Sequence, residues 1–448
     1  MKVILTTAVW GAWHIDAYLR VTLPTLLAHE NFPALARDHS CTYRLFTTTM
    51  SRGRLESAPG IAQLRRLMVV DIEEIASDDR LASDFHLAVW QKVVDEAVEK
   101  NSAVVSLHPD TPWSNGSFAF MSRGLTEGKE VFIVPNVRVV SETFLPALEA
   151  ARRGEAIALS GDSMSALALR HFHPLSGAMV PQIGYSATAT EIYWGVKGKG
   201  LSLRHASRPA IAAIPRAVPL DIEFYTRKIN NMNGVFNVTD VNQMFMLSLA
   251  PLFKDFGLIT PEHKVTPLLV GRWCAHPQND TPLKDYFAAQ SLRMPLGPDK
   301  DGPEWEKGAR EGDEFMNEVS VHLAAVNLHY AMRAQGCWAA AGVLAMALHE
   351  TDLAKKVRCP ALGQEGVALV PSEAAFKQFG KEKLEKLLAP GSEAQLLDFM
   401  LRHYRPDWNR KRAEREMAEA GITVTATAST DRLAVMVIDR VMAAETVN

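Results

Sequence analysis

Cysteine is scarce in this 448-residue chain. There are four, Cys41, Cys274, Cys337 and Cys359, far apart and with no C-x-x-C pair. That argues against a disulfide framework and a zinc knuckle, and it suits a reducing compartment. No apolar run approaches the roughly 18 residues of a membrane span, so we expect no span and a cytoplasmic protein. Net charge is also small, −3 from 48 basic and 51 acidic residues. Broad attraction to nucleic acid or to an anionic membrane is thereby removed, and no nucleic-acid partner is expected. Nothing repeats at a fixed period, and no segment is of low complexity. The opening "MKVILTTAVWGAWHID" has one Lys and a short apolar run, with His14 and Asp16 close behind. It reads as a buried first strand rather than a signal peptide.

What remains is an ordinary globular balance, 47% hydrophobic and 22% charged, long enough for about three domains. The first half alternates strand and helix. "KVILTTAV" and "TYRLFTT" read as strands, "RLMVVDIEE" as a third, and "SAVVSL" and "EVFIVP" as two more. Between them, "ASDFHLAVWQKVVDEAVEK" places Phe85, Val89, Val93 and Ala97 on one helical face. Such alternation predicts an α/β domain with a largely parallel sheet, whose ligands bind beyond the carboxyl ends of the strands. Trp10-Gly11, Thr47-Thr48 and His108-Pro109-Asp110 stand at such ends. "EIYWGVKGKGLSLRH" predicts a hairpin. Residues 266–312, rich in Pro, Gly and charge, read as a linker or long surface loop. From 313 to the end the period is helical, which predicts a mainly helical C-terminal region, a candidate for docking a protein partner.

His108-Pro109-Asp110 is the motif that raises a chemical question. A carboxylate at a strand tip can hold a hard divalent cation, Mn or Mg, and through it a diphosphate. A His two residues before it is a softer donor. The plainer reading is that Pro109 makes a turn and Asp110 caps the next helix.

The run "LHPDTPWSNGSF…GKEVFIVPNVRVVSETF" resembles a segment of bacterial glycosyltransferase-like proteins of the GT-A fold. "VWGAWHIDAYLRVTLPTLLAHENFPAL" is similar to their first strand and helix, and "RLFTT" to their second strand. "RHFHPL" and "IYWGVKGKGLSLRHASRPAI" are similar to their later His-containing segments. The resemblance covers about residues 1–260. It implies a GT-A-like domain over 1–265 and a nucleotide-sugar donor, with a uridine or similar nucleotide near Thr6, Thr7, Trp10 and Gly11. It also implies Asp110 beside the sugar phosphate, and transfer to an acceptor hydroxyl such as one on a surface polysaccharide or a protein. His108 departs from the pattern, since a metal-binding Asp is expected there.

Other residues fit the same chemistry. His205, with Arg204 and Arg208, suits a phosphate pocket, and His173 is its runner-up beside His171. Arg138 either pairs with Glu142 across a helical turn or ends a strand facing Asp110. A general base for an acceptor hydroxyl is sought among Asp240, Glu142 and Asp162, with Asp240 first. Glu314, Glu318 and His322 share a helical face with His329 nearby, which reads as a solvated face running into a core stripe rather than a metal site. Two activities stand open: a glycosyltransferase, and an inactive protein of the same fold that binds or scaffolds. A nucleotidyltransferase is disfavoured because "TTAVWGAWH" lacks a Gly-rich basic loop. The site reading expects the tip at 107–110 to be flanked by strands from 2–9 and 131–135. It also expects His205 or His173 to reach it.

Overall fold

The computed structural model describes residues 1–75, 82–134, 136–189, 191–205, 210–213, 232–254, 256–259, 263–275, 290–358, 365–430 and 433–442; of these, 82–87, 205, 210–213, 232 and 256 are described by backbone only. The chain divides into two compact units, one of residues 1–265 and 281–309, the other of 266–280 and 310–448.

The first unit is built on β1 (Lys2–Ala8), β2 (Ser40–Thr47), β3 (Val69–Glu74) and β4 (Ala103–Leu107), all parallel in the order β3-β2-β1-β4. The near-continuous apolar runs of β1 and β4 are what a sheet covered on both faces demands. Val3, Leu5, Tyr43, Leu45 and Val105 face one core, shared with Phe32 and Phe118. Ile4, Ala8, Phe46 and Val104 face the other, against Val89, Trp90, Val93 and Ala97 of the helix Ala82–Glu99. The expected helical stripe is therefore present, except that the Phe85 side chain lies outside the described residues.

The expected strand "EVFIVP" is present as β5 (Val131–Val134), and a second strand, β6 (Asn136–Val140), follows it. After the hairpin of β7 (Glu191–Val196) and β8 (Gly200–His205) comes β9 (Ala210–Ala213), which runs antiparallel to β5 and lies beside β4. The expectation that β5 flanks β4 is therefore corrected, because β9 occupies that edge. β10 (Val235–Asn237) pairs with β5, and β11 (Met246–Ala250) pairs with β6, both in parallel.

The described residues of 266–312, where the chain passes between the two units, are not a plain loop. They contain the helix Pro267–Cys274 and β12 (Leu292–Pro295), whose backbone pairs with β8, and a long helix already begins at Pro303. Proline opens both helices, where its missing N–H costs nothing, so the residue that suggested a loop marks helix starts instead.

The second unit also departs from expectation. It is rich in helix, but the helices are arranged on a four-stranded sheet. β13 (Gly366–Pro371), β14 (Tyr404–Arg405), β15 (Val424–Ser429) and β16 (Leu433–Ile438) lie in the order β14-β13-β16-β15. β13 and β16 are parallel and wholly buried. Ala368, Val370, Val435 and Val437 face the large helical layer, while Leu369, Met436 and Ile438 face Ala413 and Met417 of the helix Arg410–Glu419.

Candidate functional site

The carboxyl ends of β1 and β4 lie side by side, with Thr7 opposite Leu107 in register. From β1 the chain passes through exposed Gly11, whose φ of 75° is a backbone state that glycine adopts freely, into the helix Ala12–Ala17. That turn sets His14 on the first helical turn, its ring edge-on to Trp13 at 4.8 Å. From β4 the chain passes through His108 to Asp110, both partly exposed.

Asp110 is not a helix cap. The next helix, Ser117–Thr126, begins seven residues later, and Gly116 is its N-cap. The segment from Asp110 to Ser114 instead runs beside β11. Leu249 N–H donates to the Asp110 carbonyl at 3.0 Å, Leu247 to Pro112 at 3.1 Å, and Ser114 to Phe245 at 2.9 Å. On its other side, Trp113 N–H donates to Thr25 Oγ1 at 3.1 Å, and Asn31 Nδ2 donates to the Ser114 carbonyl. The tip is thus held from two elements far away in sequence.

Charge gathers at this end. His14 is lowered from its ordinary value by the protein packed around it, with Asp110 raising it and Lys254 lowering it further. The carboxylate of the β4 tip and the ammonium of the loop after β11 are therefore both within electrostatic reach of one imidazole. His108 is also lowered, chiefly by burial and against the pull of Asp110, and its ring meets Trp90 edge-on at 5.4 Å. Both imidazoles are thereby kept neutral near pH 7. Sequence reading missed His14 and Lys254 as site residues. The signal for His14 was its place one helical turn beyond a strand end. Lys254 has no local signal.

The loop carrying Lys254 is clamped. Glu142, in the first turn of the helix Ser141–Glu149, accepts the Leu252 N–H at 3.1 and 3.2 Å. Burial alone would raise Glu142, but its bonds to backbone N–H groups and the Ser141 hydroxyl leave it lowered. His173 is wholly buried. Its Nδ1 accepts the Leu175 N–H, which leaves Nε2–H to donate to the Pro251 carbonyl at 3.0 Å. Glu142 and His173 thus grip adjacent residues, 251 and 252.

The remaining expected residues are distributed as follows. Thr6 and Thr7 are wholly buried: Thr7 Oγ1 meets Tyr43 at 2.6 Å, and Tyr43 meets Tyr18 at 2.9 Å. Trp10 packs on the core that contains Phe46 and Trp90. Arg138 lies on β6, so the helical pairing with Glu142 does not form, and its carbonyl accepts the His173 N–H. Arg204 is buried within β8. His205 ends β8, and its side chain lies outside the described residues, as does all of Arg208. His171 bonds Thr143 at 2.9 Å. Asp240 and Asp162 meet at Lys300, 3.6 and 2.5 Å away, with Asn242 between them. Among the described residues no group of three or more His, Cys, Asp or Glu is placed to hold a metal, Glu314, Glu318 and His322 included. No helix among them is long and apolar enough to cross a membrane.

None of the family models and none of the curated proteins compared with the chain matches it. Among solved structures, the apo form of mouse xyloside xylosyltransferase 1 is similar over 33% of this chain and 57% of that one, at 16% identity and a TM-score of 0.21. At that score the likeness carries no argument. What the geometry defines is a mixed α/β protein with a parallel sheet, with His14, His108 and Asp110 on the segments that follow its carboxyl ends.

Proposed function

We propose that the first unit is a GT-A-like glycosyltransferase domain that takes a nucleotide-sugar at the carboxyl ends of β1 and β4. The observation that carries this reading is that His14 and Asp110 follow the carboxyl ends of β1 and β4, which lie side by side in register where open α/β sheets receive ligands, with the charge of Lys254 felt at His14. Sugar transfer leaves a nucleoside diphosphate, and its departure is eased by cations fixed where that charge develops. Lys254 supplies one. His108 and Asp110 are a neutral imidazole and a carboxylate, a donor pair that suits a divalent cation completed by phosphate oxygens and water. Such an ion, when bound, would supply further charge to the diphosphate. Gly11 leaves its backbone open to a nucleotide, and Trp10 offers a ring beside it. Arg138, Arg204 and His205 are kept as further phosphate candidates.

We assign the general base to His14 rather than to Asp240 or Glu142. His14 is exposed and neutral, and the charge of Asp110 favours its protonated form. Asp240 shares Lys300 with Asp162, and Glu142 is occupied with Leu252. The test is release of uridine diphosphate from a panel of uridine-diphosphate sugars, with and without Mn. Turnover that disappears in His14→Gln supports the reading. Nucleotide binding without turnover supports the inactive binding protein, and no binding removes both.

A further inference from the structure

The second unit contains a cleft of about 760 Å³ that the reading above does not use. It lies where the helix Pro267–Cys274 crosses the helix Pro303–Ala334 within that unit. The two backbones come unusually close there. A Cβ on Gly271 would stand 2.7 Å from His322 Cβ and 3.0 Å from the Val319 carbonyl. Only glycine permits that approach, and it brings the next residue, Arg272, onto the wall that holds His322.

The nitrogen-bearing side chains of the lining are all basic in type, and His349 is also paired with Glu350 at 2.7 Å. Arg272, His322, His329 and His349 line the cleft, and no described Asp or Glu does. Arg272 is exposed and has no acidic partner among the described residues. His322 is 8% exposed, and its Nδ1 has no hydrogen-bond partner among the described residues. A polar atom so buried is costly unless something completes it. Apart from Tyr330, the rest of the wall, Leu344 and Leu348 included, is apolar. A pocket of this size with an apolar body and a few convergent polar groups is the usual form of a small-molecule site.

We propose that this cleft binds a small organic anion, a single acidic group on an apolar frame, with Arg272 and His322 receiving the acid. The probes are 8-anilinonaphthalene-1-sulfonate and its uncharged counterpart N-phenyl-1-naphthylamine, titrated into the full chain by fluorescence. The sulfonate binds at one site, about tenfold tighter than the neutral ring system, a difference of about 1.4 kcal/mol. Arg272→Gln, an exposed position, removes that preference and leaves the neutral probe's affinity unchanged. Ala345→Trp, also exposed and on the cleft wall, weakens both probes. Equal affinities for the two probes in the wild-type chain, or sulfonate binding unaltered by both substitutions, overturns the proposal. Neither result bears on turnover of nucleotide-sugars, so the two readings fail separately.

Discussion

Glu142 accepts the backbone N–H of Leu252 through both carboxylate oxygens, at 3.1 and 3.2 Å. Two residues further on, Lys254 acts on His14 across the strand ends. The carboxylate expected as a general-base candidate thus holds the backbone of the loop that carries Lys254. Glu142→Ala should weaken uridine diphosphate binding about fivefold to tenfold, at a stability cost of about 1 kcal/mol. Glu142→Gln keeps an acceptor oxygen and should recover most of the affinity. Calorimetric titration and thermal melts measure the two effects separately, and a Gln variant as weak as Ala would show that the clamp is not what matters.

Asp110 gives a contrast between function and stability. It is partly exposed, and Gly116, not Asp110, caps the following helix. Asp110→Ala should therefore change stability by no more than about 0.5 kcal/mol, while weakening nucleotide binding in the presence of Mn. A loss of about 1 kcal/mol in Ala but not in Asn, with affinity intact in both, would restore the capping role that the structure removes.

Gly161 is a test of packing. A Cβ there would lie 1.9 Å from the Val241 carbonyl oxygen, a backbone atom that cannot step aside. Gly161→Ala should cost about 3 kcal/mol in denaturant unfolding. It should also separate Asp162 from Asn242. A cost near zero would mean that the helix Gly161–Arg170 does not approach that closely.

His403 should make the second unit sensitive to acid. Its Nδ1–H donates to the Phe399 carbonyl at 2.7 Å, and its Nε2 accepts the Met442 N–H at 3.1 Å, so both nitrogens are used in the neutral ring. Burial pushes the imidazole down to about 4, with Arg405 and Arg402 adding to it. The unfolded value is about 6.5. A histidine lowered by folding contributes stability that is complete above the unfolded value and is lost as pH falls toward the folded one. Between pH 7.5 and pH 5 the loss should be about 2 kcal/mol. His403→Gln should flatten that dependence in urea titrations. An unchanged slope would assign the sensitivity elsewhere.

The legible parts of this sequence were those with one dominant local signal. "KVILTT" and "AVVSL" are β-branched runs, and they became the central parallel pair with the expected motif at its tip. The hairpin at 191–205 had its Gly-Lys-Gly turn. β13 and β16 escaped notice because strands buried on both faces show no alternation, and "GVALVP" and "LAVMVI" are short enough to merge with helical flanks. β12 was concealed in a stretch whose prolines and charges suggested a loop. The site divides in the same way. Asp110 was visible because a strand end points to it. Lys254 was not, because only the fold brings its charge within electrostatic reach of His14, and Thr6 and Thr7 looked like nucleotide ligands although β1 buries both.

The central claim is that the ends of β1 and β4, with Lys254, hold a nucleoside diphosphate. The most direct measurement is calorimetric titration of uridine diphosphate, in the presence of Mn, into the wild-type chain and into Lys254→Met. Lys254 is exposed, so the substitution should leave the melting temperature unchanged. The account predicts one site in the wild-type chain and binding about tenfold weaker in the variant, or about 1.4 kcal/mol. Wild-type chain that binds no uridine diphosphate, or variant that binds it as tightly as wild type, would contradict it.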